Sequence, residues 1–196
     1  MRIPLLLVSW VLLGAHLLVS ATYNAGGDTV AAIRSSCQME FAKAKADRQH
    51  QIFFSALLKN EDPSRDDWKR EASESVTTAA AKNGNSTASV YGSQGRRVVV
   101  VAFSFRNEFG DWVNDADYCF RGDGTLAQIH SRLDSFHGDA TVVRDYFFSD
   151  GKQIALERHD YTLGTTTPKK LDTGFWDFPP PVFRRVSDLP FVKKLK

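Results

Sequence analysis

The stretch from Val98 to Leu163 constrains this chain most, because apolar and polar side chains alternate there between closely spaced turn signals. Tyr118-Cys119-Phe120-Arg121-Gly122-Asp123-Gly124 is echoed by Tyr146-Phe147-Phe148-Ser149-Asp150-Gly151. In each, an aromatic strand end runs into Asp-Gly, a pair that tolerates positive φ and suits a tight hairpin. Two copies make a meander, since a solenoid needs three or more. The pattern predicts about five antiparallel strands across 98–163.

The two faces of these strands differ. Val99, Val101, Phe103 and Phe105 oppose Val98, Val100, Ala102 and Ser104, so the first strand is apolar on both sides and needs two covers. Trp112, Ala116, Tyr118 and Phe120 oppose Asp115, Asp117 and Cys119 in the next. Ala127, Ile129 and Leu133 oppose Gln128, His130, Arg132 and Asp134 in the third, with His137-Gly138-Asp139 as the following turn. Val142, Tyr146 and Phe148 oppose Val143 and Phe147 in the fourth. Ile154 and Leu156 oppose Gln153, Glu157 and His159 in the fifth.

Covers are available on both flanks. Val30, Ile33, Cys37, Phe41 and Ala44 recur at intervals of three and four, which predicts a helix over 28–59 with Asp28 as its N-cap. Asp62-Pro63 opens a second predicted helix over 63–82, ended by Lys82-Asn83-Gly84. Residues 83–96 read as a Gly/Ser/Asn-rich connection, and Asn85-Ser86-Thr87 matches a glycan acceptor of a eukaryotic secretory pathway. After Gly164, Pro168, Pro179, Pro180, Pro181 and Pro190 exclude a regular helix, while Phe175, Trp176, Phe178, Phe183 and Phe191 are too apolar for a free tail. An extended strap over 164–196, lying on the sheet, follows. The expected fold is α+β: two N-terminal helices on an antiparallel meander, with a Pro/aromatic C-terminal strap.

Residues 1–21 have the order of a secretory signal: Arg2, an apolar run from Ile3 to Val19, then Val19-Ser20-Ala21 as a cleavage site. Pro4, Gly14 and His16 interrupt the run, and it is short for a membrane span, so a cleaved signal is expected ahead of the alternative, a retained N-terminal anchor, with no membrane span after cleavage. Residues 22–196 are then a single exported domain, secreted or periplasmic. Export places Cys37 and Cys119 in an oxidising compartment, where the pair permits one disulfide or two buried thiols. Cys119 falls on the acidic face of its strand, so a helix laid on the aromatic face reaches it only through a bulge.

The net charge of +2 is too small to argue for nucleic acid. Gly-x-Gly-x-x-Gly, a phosphate-binding Gly-Lys-Ser/Thr loop and a Gly-x-Ser-x-Gly elbow do not occur, so no cofactor or serine nucleophile is signalled. Two pairs carry what chemistry there is. Asp115 and Asp117 point the same way from one strand, as cation binding or acid–base division requires. His130 and His159 meet across the sheet if their strands share a neighbour, with Asp134 or Glu157 at hand. No metal-ligand spacing accompanies them.

The leading expectation is therefore an exported, non-enzymatic binding domain for a small apolar ligand or a protein partner. Trp112, Tyr118, Phe120, Tyr146 and Phe148 are the candidates to line an apolar pocket between helix and sheet. The alternative is a secreted or periplasmic hydrolase or cation-dependent enzyme built on Asp115/Asp117 or His130/His159. A third reading gives the basic, aromatic tail to a surface partner.

Overall fold

A computed structural model describes residues 29–47, 50–57, 66–93, 97–107, 109–172, 175 and 177–195. The signal expected over 1–21 and the N-cap expected at Asp28 lie outside these residues. The fold is α+β. Among the described residues two helices, α1 (Val30–Ala46) and α2 (Glu74–Lys82), accompany one antiparallel sheet. Its strands are β1 (Gln51–Ala56), β2 (Lys69–Glu71), β3 (Ser86–Ser93), β4 (Arg97–Arg106), β5 (Trp112–Phe120), β6 (Leu126–Ser135), β7 (Ala140–Ser149) and β8 (Lys152–Thr162). They lie in the order β2-β1-β3-β4-β5-β6-β7-β8.

The five strands expected over 98–163 are β4 to β8, joined by short turns. Asp150 and Gly151 both take positive φ (49° and 71°) between β7 and β8, as a tight Asp-Gly hairpin demands. Gly124 (φ 82°) and Asp139 (φ 44°) serve the two preceding turns.

The N-terminal half corrects the expected boundaries. The first helix stops at Ala46 and does not continue to 59; Thr29 caps it, its hydroxyl accepting from the Ala32 amide at 3.2 Å. Ile52-Phe53-Phe54 belongs to β1. A short β-branched and aromatic run suits either element locally, and pairing with β2 and β3 decides for strand. The second helix is confined to Glu74–Lys82, with Ser73 as its N-cap, because Trp68 is driven into the core and residues 69–71 pair with β1. The supposed connection over 83–96 contains β3. Its Ser86, Ala88 and Val90 alternate inward, and the tripeptide Asn85-Ser86-Thr87 runs into the start of that strand. Among the described residues the sheet is therefore eight strands wide and not about five.

Each face of the sheet has its own cover. Val101, Phe103, Tyr118, Phe120, Ile129, Tyr146 and Phe148 share one core with Phe54 and Trp68 and with Phe183, Leu189 and Phe191 of the C-terminal segment. That segment has no regular secondary structure from Asp177 to Phe183 and then makes two short 3-10 turns, at Val186–Asp188 and Val192–Lys194. It is pinned by hydrogen bonds from Asn114 Nδ2 to the Phe178 carbonyl (2.7 Å) and from the Tyr118 hydroxyl to the Pro181 carbonyl (2.6 Å). The opposite face carries Cys119, Ala127 and Phe147, and α1 packs there through Val30, Ile33, Cys37 and Phe41. The helix lies on the Cys119 face, so Cys37 and Cys119 form a disulfide with Cα atoms 5.8 Å apart, beside the point between Cys119 and Phe120 where the β5–β6 register shifts.

Candidate functional site

The larger of the two clefts described among these residues is on the α1 face. Between α1 and the β5–β6 end of the sheet lies a half-open cleft of about 670 Å³. Its floor is apolar: Ile33 and the Cys37–Cys119 bridge, Val99, Phe120 and Ala127. Its rim is charged, with Glu40 and Lys43 paired at 2.7 Å on the helix and Arg121 at the start of the β5–β6 turn. Arg121 holds that turn in place by donating to the carbonyls of Leu126 (2.7 Å) and Phe148 (2.6 Å). The cleft exists because the helix stripe is narrow. Ala32 and Ser36 look toward the sheet end with side chains too small to fill it.

Elsewhere on the same face, strand register sets the charged residues in rows. Asp117 of β5 is opposite His130 of β6, His130 opposite Asp145 of β7, and Asp145 opposite Glu157 of β8. The next row is Asp115, Arg132, Val143 and His159. His130 and His159 thus do share a neighbouring strand, but they stand two strands and one row apart, roughly 12 Å by sheet spacings. Asp115 and His159 are exposed. Asp134 accepts from Thr141 Oγ1 at 2.6 Å and from Arg132, one row further along.

The row centred on His130 is hydrogen-bonded. Asp145 Oδ1 lies 3.0 Å from His130 Nδ1 and accepts from Gln128 Nε2 at 3.0 Å. Arg34 of α1 reaches over the Phe147 ring, its guanidinium 5.0 Å from the centroid, to bind Glu157 at 2.6 Å. The hydrogen bond to Asp145 raises the His130 pKa, helped by the charges of Asp145 and Asp117 and opposed by burial and Lys45. Burial works to raise the Asp145 carboxyl, but His130, Gln128 and Arg34 outweigh it and leave the pKa below the usual value. Asp117 goes the other way: burial raises its pKa, and neither Lys45 nor His130 restores it.

The sign of the Asp117 shift gives a pH-dependent prediction. A carboxyl whose folded pKa is raised adds stability below its unfolded pKa, and that contribution disappears as pH rises through the folded pKa. Asp117→Asn should therefore melt at a higher temperature than the wild type at about pH 7, with the gap closing toward about pH 3.5. Thermal denaturation at the two pH values checks this. A variant less stable than the wild type at neutral pH would mean that Asp117 is held by attraction and not strained by burial.

The five aromatics expected to line a pocket lie together on the face away from α1. Tyr118, Phe120 and Phe148 are filled in by Phe183 and their neighbours in the strap-covered core, and Tyr146 is nearly so. Phe120 also touches the α1 cleft where its strand ends, and Trp112 lines a smaller cleft under the strap. Sequence reasoning missed Gln128, Arg34 and Asp145 as partners of the histidine row. One signal for them was present: a hairpin folded between His137 and Gly138 mirrors His130 onto Asp145. Arg34 had no such signal, since its reach to Glu157 depends on how the helix crosses the sheet. Among the described residues no group of three His, Cys, Asp or Glu side chains is arranged to hold a metal ion. No protein-family model, curated protein or solved structure matches the chain.

Proposed function

We propose that this chain is an exported binding domain that takes a small apolar ligand, or an apolar side chain of a partner, in the cleft between α1 and the sheet. The observation that carries this reading is the cleft itself. At about 670 Å³ it falls within the range of about 300–1,000 Å³ usual for ligand pockets, and its apolar floor is ringed by a few charges that can orient a guest. The disulfide in its floor fits an oxidising compartment, and no helix among the described residues is long and apolar enough to cross a membrane. The histidine row supports an acid–base enzyme less well. The one hydrogen bond of the His130 ring among the described residues is to Asp145, a carboxylate and not the hydroxyl or thiol that a nucleophile–base pair requires.

The test uses the secreted protein and an environment-sensitive apolar dye, anilinonaphthalene sulfonate. Saturable dye binding is expected, and Ser36→Trp, on the exposed side of α1 facing the cleft, should abolish it without lowering the melting temperature. Unchanged binding in this variant would move the ligand elsewhere. Native mass spectrometry of the same material reads any retained ligand directly.

A further inference from the structure

A second cleft, of about 420 Å³, lies at the opposite end of the sheet from the β5–β6 turn. Three separate segments meet there: the β4–β5 connection with Asp111, the β6–β7 turn with His137 and Gly138, and the strap with Phe175 and Phe178. Trp112, first residue of β5, stacks on Phe178 with centroids 4.7 Å apart and planes at 18°. The Phe178 backbone is fixed by the Asn114 hydrogen bond described above. Phe175 rests its ring directly on the backbone of Gly138, where an added Cβ would come within 2.6 Å of the ring. A glycine there is what lets the third ring approach.

Asp111 faces the same space and is held rigidly. Its backbone amide donates to Asn107 Oδ1 at 2.8 Å, Asn107 Nδ2 donates back to its Oδ2 at 3.1 Å, and its Oδ1 lies 2.9 Å from His137 Nε2. Among the described residues lining the cleft, Asp111 is the one with a fixed charge; the nearby Lys169 is spent on the carbonyls of Gly138 and Asp139 and on the Asp139 carboxylate. Aromatic faces are electron-rich, so rings and carboxylate together attract a cation. They favour one of a particular kind. A compact ammonium keeps its hydration shell and loses by entering an apolar cleft, whereas a methylated ammonium presents apolar methyl groups to the rings and carries a diffuse charge.

We propose that the Trp112–Phe175–Phe178 cleft, with Asp111 as its counter-charge, is a binding site for a quaternary ammonium group. It is distinct from the α1 cleft and independent of the apolar ligand proposed there. The probes are choline and 3,3-dimethylbutan-1-ol, its uncharged carbon isostere, titrated into the whole secreted protein by calorimetry. Choline should bind, and the isostere at least about tenfold more weakly, because it loses both the cation–π attraction and the carboxylate. Asp111→Asn and Trp112→Leu should each weaken choline by about fivefold to tenfold, with circular dichroism confirming the fold; Phe175→Leu replaces Trp112→Leu if the latter unfolds. Ser36→Trp should leave choline binding unchanged, which separates this site from the α1 cleft. No choline binding, equal binding of the isostere, or indifference to Asp111→Asn would each overturn the proposal.

Discussion

Phe191→Ala is expected to cost about 3–5 kcal/mol of stability, lowering the melting temperature by roughly 10 °C. The ring is fully buried near the end of the chain, yet its contacts are with the beginning. It stacks on Phe54 of β1 with centroids 4.1 Å apart and planes at 8°, and meets Trp68 edge-on at 5.5 Å and Phe103 at 5.6 Å. Trp68 in turn meets Phe103 and Phe105 of β4 edge-on. Removing the ring loses its transfer free energy and leaves a cavity whose walls are other rigid rings, which collapse poorly. The adjoining Lys194 clips Asp67 (3.0 Å) and the Trp68 carbonyl (2.6 Å), so the backbone holds its place and the void persists. Denaturant unfolding of the variant reads the loss. A cost below about 1 kcal/mol would mean that the C-terminal segment merely leans on the sheet.

The disulfide should matter as much, from the other side of the sheet. Cys37 and Cys119 are separated by 82 residues, and closing so long a loop stabilises by about 4 kcal/mol on the chain-entropy argument. Replacing both by alanine, which leaves no hydroxyl buried without a partner, should remove most of that. The expected outcome is a large drop in the denaturation midpoint together with weaker dye binding, because the bridge forms part of the cleft floor. Retention of the wild-type midpoint would show that apolar contacts of Ile33 and Phe41 alone seat the helix.

Local patterns carried the second half of the chain well. Period-two alternation with Asp-Gly and His-Gly-Asp turns names β4 to β8 with few ambiguities, since turn chemistry and strand register constrain each other. The helical stripe Val30, Ile33, Cys37, Phe41 is read correctly as far as Ala46. The expected end at 59 overshoots because Ile52-Phe53-Phe54 continues the apolar density without revealing its period. Trp68 lies within the span expected as the second helix, and its partners Phe103 and Phe105 are far along the chain. The histidine row is half legible: His130 and Asp117 stand out in the sequence, whereas Asp145 joins them only through the β6–β7 register.

The amino-acid sequence by itself determined that an antiparallel sheet would form, that its aromatic face and its Cys119 face would both need covering, and that a helix and a proline-rich aromatic segment were there to cover them. Tertiary structure alone decided which cover went to which face, that residues 51–56, 69–71 and 86–93 would join the sheet as strands, and that Asp111, Gly138 and Phe178 would meet around one space. The division has a physical cause. Turns and alternation are properties of neighbouring residues, whereas the state of a short apolar run, and the depth of a cleft between segments, depend on partners that the chain meets only after it has closed on itself.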